Sequence, residues 1–346
     1  MNTINKYPKV SIVIPTFNEE KNIERCLSSI RSQNYHQDMV RIIVVDGLSE
    51  DNTLEKAKKY NVSVVTNHQR DAQIGKAIGI GVVNKDTDYF ILIDADNEIS
   101  DKDWLYNNIT LLEDNENCFA ADSNFIVTSK DTAINRVSIL MVTEDPIVRH
   151  ISNLKKNSVI EDRGSYEIRT IKNGTYPAFG ANGFIWKAEI FFKIFDKINT
   201  NSFDEADIAS LVVNSGHKEV LFYKKSGIYH HHITTFVGFI KKRIRSGVEF
   251  IERAKRKQET KSDDIIWTKR YSNYKLFYTI LYNFTFVGPL IEASKGYIKD
   301  KDFAWFLYPI LSFTAVVVYG LIFIFYHPKD CRPQVVKKLE QENDKN

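Results

Sequence analysis

The chain has 346 residues, 43% of them hydrophobic, 26% charged and 12% aromatic, and its 47 basic and 44 acidic side chains leave a formal net charge of +3. These values exclude a disordered chain, a disulfide scaffold and a collagen-like repeat, and the length suits one large domain or two. The averages mix two regimes, because 18 of the 43 aromatic residues fall in the 60 positions from Trp267 to Tyr326.

Cys26, Cys118 and Cys331 stand alone with no CxxC pair, which points to a reducing compartment. The apolar run Val10 to Ile14 ends at Pro15 and is too short for a signal-peptide core, so the amino-terminal portion is expected in the cytoplasm.

Up to about residue 130, short apolar runs alternate with segments of helical period. Strands are predicted at Val10 to Ile14, Arg41 to Val45, Val62 to Thr66 and Tyr89 to Ile93, each β-branched or aromatic. Helices are predicted from Glu19 to Gln33 with Asn18 as N-cap, after Asp51, and over Gln73 to Val83. This alternation predicts an α/β fold, a mostly parallel Rossmann-like sheet flanked by helices on both sides, with ligands at the carboxyl ends of the strands. The polar residues just past each strand, Thr16 to Glu19, Asp46, and Asp94 to Asp96, then become site candidates.

From Ala133 to Thr175 no firm period appears, and the stretch reads as a loop-rich or partly helical insert. Gly180 to Gly183 marks a turn, followed by a helix-like stretch from Ala188 to Ile198, the acidic cluster Asp204, Glu205 and Asp207, a strand at Val220 to Tyr223 and the triplet His230, His231, His232. Phe236, Ile240, Ile244, Val248 and Ile251 recur at helical spacing, and residues 241 to 257 carry eight Lys or Arg against Glu249 and Glu252, a local charge of +6. Such a helix suits an anionic membrane surface, or else lies solvated on the domain. Phe303 to Tyr326 contains no charged side chain over 24 residues, enough to cross a hydrocarbon core of ~30 Å at ~1.5 Å per residue. Leu276 to Ile291, interrupted by Asn283 and Pro289, spans, re-enters or lies in the interface. If both segments cross, the tail with Lys329, Arg332, Lys337 and Lys338 returns to the cytoplasm. The chain therefore divides into an α/β domain at 1–232, an amphipathic interfacial helix region at 233–262, a membrane-associated region at 263–330 and a polar tail at 331–346. The expected location is the cell membrane, with the α/β domain on its cytoplasmic side.

Among phosphate-binding patterns, GxxxxGK[ST] is absent and Gly75, Gly79 and Gly81 have the wrong order for GxGxxG. The helix opening near Gln73 still offers backbone N–H groups and the Lys76 charge to a diphosphate. The pair Asp94-Ala95-Asp96 directly after a buried strand is costly unless a cation or donors neutralise it, and oxygen ligands favour Mg²⁺ or Mn²⁺ bridging a nucleotide diphosphate. The alternative is a strand-end turn with solvated carboxylates.

Val10-Ser11-Ile12-Val13-Ile14-Pro15-Thr16-Phe17-Asn18-Glu19-Glu20 resembles the opening strand and loop of the family 2 glycosyltransferases, which have the GT-A fold. Val44-Val45-Asp46-Gly47-Leu48-Ser49-Glu50-Asp51-Asn52-Thr53 resembles that family's VDxxSxDxT motif, and Asp94-Ala95-Asp96 falls where its DXD motif belongs. The resemblance covers roughly residues 8 to 232. It implies that Pro15, Thr16, Glu19, Asp46, Lys76, Asp94, Ala95, Gly180 and Asn182 line the donor, with Asp46 on the base, usually uracil. It further implies that Asp96, with Asp94 and a third ligand, holds the metal, and His230, where the family often ends a strand with Tyr-His, is the choice for that ligand. Lys76 replaces a frequent Arg, Ala77 a frequent Asn and Gly47 a frequent Asp. In Asp204-Glu205-Ala206-Asp207-Ile208 the family's acidic pair is swapped, so Glu205 aligns with the catalytic base and Asp204 is the fallback, or else a helix cap. Asp207 reads as a helix-surface residue.

The expected activity is that of an inverting, metal-dependent glycosyltransferase. Its donor would be a nucleotide sugar, with a UDP-sugar expected, and its acceptor a lipid-linked or membrane-proximal glycan; no nucleic acid is expected as a partner. A processive synthase is disfavoured by the missing QxxRW motif. A sugar-nucleotide pyrophosphorylase would need a glycine-rich basic loop where Pro15-Thr16-Phe17-Asn18 stands, and a non-catalytic nucleotide-binding membrane scaffold is the remaining alternative.

Overall fold

In the computed structural model, residues 7–141, 145–147, 149, 157–173, 175, 182–196, 203, 205–231, 233–260 and 273–326 are described. The first four strands form where the β-branched runs lie: β1 (Val10–Thr16), β2 (Val40–Asp46), β3 (Ser63–Thr66) and β4 (Tyr89–Leu92). They pair in parallel in the order β3-β2-β1-β4, and the β1–β2 register sets Thr16 opposite Asp46. Helices α1 (Ile23–Arg31), α2 (Thr53–Ala57), α3 (Ala72–Gly81) and α4 (Trp104–Asp114) connect and follow them. Alternate side chains of β1 serve two apolar layers, as a period of two requires. Ile12 and Ile14 pack with Leu27, Ile30 and Trp104, whereas Val13 packs with Val45, Phe90 and Trp186.

The sheet is mixed rather than mostly parallel. Its remaining strands are β5 (Asn97–Ile99), β6 (Cys118–Ile126), β7 (Ser158–Asp162), β8 (Tyr166–Ile171), β9 (Phe184–Lys187) and β10 (Glu219–His230). β9 runs antiparallel between β4 and β6, β10 is parallel to β6, and β5 and β8 pair antiparallel with β10. The stretch read as a loop-rich or partly helical insert holds α5 (Ala133–Leu140) and, beyond that expectation, the β7–β8 hairpin. That hairpin turns at Gly164, with φ of 79° and its amide donating to Asp162 Oδ1 at 2.7 Å. β10 extends well beyond the expected Val220 to Tyr223, through a register shift between Phe222 and Gly227. Gly227 is required there, because a Cβ would stand 1.9 Å from the Asn124 carbonyl oxygen. Asn18 does not cap α1; it sits at φ 55° and its side-chain oxygen accepts from the Glu50 amide, so the helix starts at Ile23. Helices α6 (Ala188–Phe195) and α7 (Glu205–Asn214) cover the second apolar layer.

The chain divides into two units, residues 1–130 with 152–232, and residues 131–151 with 233–346. The second unit is helical: α5, α8 (Phe236–Thr260), α9 (Asn273–Phe284), α10 (Val287–Asp300), a 3₁₀ turn (Phe303–Leu307) and α11 (Tyr308–Phe325). Its core gathers Val137, Met141, Phe239, Ala293, Trp305, Tyr308, Leu311 and Ala315. Phe303–Phe325 is long and apolar enough to cross a membrane. One face of α11 is buried in that core, while Leu321, Phe323 and Ile324 are exposed. The apolar run Leu276 to Ile291 is not one rod, because α9 stops at Phe284 and Phe286, at φ 62°, precedes α10. Among the described side chains of α8, Phe239 and Arg243 are buried, while in the apolar stripe Phe236 and Ile244 are exposed and Ile240, Val248 and Ile251 half-buried. Arg243 reaches Asp145, and its Nη1 donates to Tyr319 Oη at 3.3 Å. The tail cations lie outside the described residues, as do 261–272.

Candidate active site

The site grows from the carboxyl ends of the parallel strands. Asp46 closes β2 nearly fully buried, and its carboxylate accepts from the Ser49 hydroxyl at 2.6 Å and amide at 3.0 Å. Ser49 Oγ in turn accepts from the Asn18 amide at 2.9 Å, and the Gly47 amide donates to the Thr16 carbonyl at 2.8 Å. The Glu19 amide donates to Thr53 Oγ1 at 2.7 Å, and Glu19 Oε2 accepts from Asn22 Nδ2 at 2.8 Å. Burial pushes the Asp51 carboxyl upward, but the Thr53 hydroxyl and amide and the Glu20 amide hold it below the usual carboxylate range. The Ser, Asp and Thr of the VDxxSxDxT stretch thus tie the β1 and β2 loops together. Pro15 and Thr16 end β1, and Thr16 Oγ1 is buried with no hydrogen-bond partner among the described residues. That orphaned hydroxyl is a polar group that a ligand would satisfy.

After β4, the side chains of Asp94 and Asp96 diverge from that of Ala95, which is buried in the first apolar layer. Asn97 Nδ2 ties the loop together, donating to the Asp94 carbonyl at 3.0 Å, Asp96 Oδ1 at 3.2 Å and Asn182 Oδ1 at 3.3 Å. β5 pairs His230 with Asn97, which brings His230 Nε2 to 3.4 Å from Asp96 Oδ1. Gly183 follows Asn182 at φ 80°, and a Cβ there would fall 2.0 Å from Ile228 Cδ1. Gly180 and Asp204 lie outside the described residues.

Among the described residues, no three His, Cys, Asp or Glu side chains converge as a closed metal cage. Asp96 and His230 form a pair, whereas Asp94 Oδ1 is 3.9 Å from Lys76 Nζ. The Asp96 carboxylate fits Mg²⁺ or Mn²⁺, hard ions that take their remaining ligands from phosphate and water, whereas the imidazole beside it is a softer donor than these ions prefer.

Lys76 rises from α3, whose first turn is capped by Asp71 Oδ1 accepting from the Gln73 and Ile74 amides at 2.8 and 3.0 Å. Its ammonium bonds to Glu205 Oε1 at the start of α7. The Phe203 amide donates to the Gln73 carbonyl at 3.0 Å, and Phe203 is buried against Phe191 and Phe195, which fixes the approach of α7 to α3. Asp207, expected on the helix surface, is buried instead. Ser49 and Asn97 were missed as site-building residues. Ser49 is a motif position whose bond to Asp46 needs the turn geometry to be recognised, and Asn97 carries no signal beyond adjacency to Asp96.

Residues 11–177 match the family model described as Glycosyl transferase family 2. A dolichyl N-acetyl-alpha-D-glucosaminyl phosphate 3-beta-D-2,3-diacetamido-2,3-dideoxy-beta-D-glucuronosyltransferase of Methanococcus voltae is 36% identical over 107 residues, 29% of this chain and 32% of that protein. Glycosyltransferase AglE of Haloferax volcanii is 23% identical over 182 residues, 48% of this chain and 59% of the relative. The chain therefore spans about a third and about three fifths of these relatives' lengths. The mannosyltransferase PcManGT from Pyrobaculum calidifontis, solved in complex with GDP-Man and Mn²⁺, superposes with a TM-score of 0.56 at 13% identity, covering 94% of this chain and 89% of that one. This last likeness is one of fold.

Proposed function

We propose that this chain is a glycosyl transferase of family 2, whose model matches residues 11–177, and that it transfers a sugar, with inversion, from a UDP-sugar to a lipid-linked acceptor at a membrane. The observation that carries the reading is the meeting of three separate segments at one end of the sheet. Glu205 of α7 bonds to Lys76 of α3, and Lys76 lies 3.9 Å from Asp94 of the DXD loop.

In this reading Asp46 and Thr16 hold the nucleoside, and Lys76 faces the diphosphate. Asp96 and His230, with Asp94 beside them, would hold a divalent cation, which supplies positive charge for the departing diphosphate. Glu205 takes the proton of the acceptor hydroxyl as that oxygen bonds to the anomeric carbon. The bond from that carbon to the diphosphate oxygen breaks, and the nucleoside diphosphate leaves from the opposite face. Gly183 and Asn182 border the donor sugar, where a side chain larger than hydrogen has no room at position 183.

The helical unit supports membrane attachment through the exposed apolar side chains of α11 and the basic residues of α8. The name of the Methanococcus voltae relative, a transferase acting on a dolichyl-linked sugar phosphate, supports a lipid-linked acceptor.

Membranes containing the full chain, incubated with Mn²⁺ and a panel of labelled nucleotide sugars, should yield labelled lipid extracts. Asp96→Asn should abolish the signal. Transfer from no donor, together with no nucleotide binding, would sink the reading.

A further inference from the structure

We propose that Lys76 is a shared partner that links donor binding to release of Glu205, an inference that rests on the transferase reading above. Lys76 and Glu205 are bonded across 129 residues of sequence, with side chains only 8% and 12% exposed. The same ammonium stands 3.9 Å from Asp94 Oδ1, whose side chain is 38% exposed and opens toward solvent. Lys76 therefore sits between a screened carboxylate and the loop where a diphosphate would arrive.

A lysine suits this position because its ammonium is a compact charge with three donors on a flexible stem, able to change partner by rotamer alone. The backbone on both sides is fixed. Phe203 clips α7 to the first turn of α3 through its 3.0 Å bond to the Gln73 carbonyl, so the exchange needs no helix movement. Without donor, the ammonium neutralises Glu205 and leaves it a weak base. The negative charge of an arriving diphosphate competes for the same ammonium, and Asp94 on that side favours the exchange. Once Lys76 has turned, Glu205 has given up that ion pair and takes the acceptor hydroxyl's proton more readily. The base is thus exposed only when there is a donor to attack. Lys76 acts as a positioning residue, and it reports donor occupancy to the base.

Competition for one cation has a consequence that a purely structural ion pair lacks. Removing the charge of Glu205 should tighten nucleotide binding, provided that Lys76 is present to benefit. The test is a double-mutant cycle on the full chain, titrating UDP and GDP separately in the presence of Mn²⁺ by calorimetry. Glu205→Gln should bind the preferred nucleotide roughly fivefold more tightly than wild type, and Lys76→Met roughly tenfold more weakly. In the Lys76→Met background, Glu205→Gln should add no further tightening. Lys76→Arg should retain coupling, and Glu205→Gln should lower the donor KM together with kcat.

Unchanged or weaker binding by Glu205→Gln, in a protein that melts like wild type, would overturn the proposal. So would equal tightening in the Lys76→Met background, which would mean simple relief of negative charge. Additive variants in an enzyme that binds nucleotide and transfers sugar would sink this inference alone. No binding of either nucleotide by wild type would sink it together with the transferase reading.

Discussion

The sheet-containing unit buries its apolar side chains in two layers and collects charged ones at one end of its strands, where Asp46, Asp94, Asp96, Lys76 and Glu205 lie. The helical unit does the reverse. Two of its ion pairs turn inward, Arg243 with Asp145 and Arg136 with Asp302 at 2.8 Å, while Leu321, Phe323 and Ile324 are exposed. In the first unit unusual polarity marks the site, since carboxylates gathered at a strand end need a ligand or cation. In the second, unusual exposure marks it, since bare apolar faces need a nonaqueous neighbour.

The contrast breaks first at Asp96. Asp96→Asn should lower transfer on the order of 10³-fold without altering the melting temperature. A melting shift with activity intact would make the DXD loop structural. The helical unit has the opposite expected profile at Arg243. Arg243→Met removes the guanidinium bonded to buried Asp145, and the predicted cost is about 3–5 kcal/mol, read by thermal melting. The double variant with Asp145→Asn should regain part of that loss.

Much of the first unit was legible because its signals are local. The β-branched runs gave β1 to β4 within a residue or two, and the motif stretches led to Asp46, Asp94 and Glu205. What failed was non-local. The antiparallel β9, inserted between β4 and β6, is a pairing that no window of sequence encodes. Asn18 looked like a helix cap because caps are recognised by residue type, yet the Glu50 amide from another loop took its side chain. On α8 the helical period is legible, but not that Phe239 and Arg243 are the side chains it buries. Gly247, where a Cβ would lie 2.8 Å from Ile322 Cδ1, lets α11 approach closely on the side that also carries Arg243, and the bond to Asp145 offsets the burial of that charge. Hydropathy ranks Arg as outward and cannot see its partner.

The exposed face of α11 sharpens the comparison further. Replacing Phe323 and Ile324 together by Ser removes two side chains that are 83% and 62% exposed. If they enter lipid, co-sedimentation with vesicles containing anionic lipid should fall by about tenfold or more, at ~1.5–3 kcal/mol per fully buried apolar side chain. Melting should hardly change, because neither side chain supports the core. Unchanged sedimentation would mean that the face serves something other than a bilayer.

The last effect concerns a charge that the first unit half-buries away from the strand ends. Asp122 on β6 accepts from Arg169 Nη1 at 3.3 Å, while Arg169 also pairs with Glu167 at 3.1 Å and lies 3.5 Å over the Phe222 ring. Burial pushes the Asp122 carboxyl up to about 6, against the pull of Arg169 and of the Ser123 amide. Because the folded state then holds this proton more tightly than the unfolded chain, its contribution is fully present below about pH 4 and is lost as pH rises toward about 6. The loss is on the order of 2–3 kcal/mol at most, for a shift of roughly two units. Asp122→Asn cannot ionise and escapes it, while Arg169 retains Glu167. Carboxyls held low, such as Asp51, act in the opposite direction but equally in both proteins, so they cancel in the difference. The variant should therefore gain on wild type in melting temperature between pH 4.5 and pH 7.5. Parallel profiles would show that Arg169 fully compensates the Asp122 charge, and that this unit tolerates an ionised carboxylate inside its sheet as well as at its end.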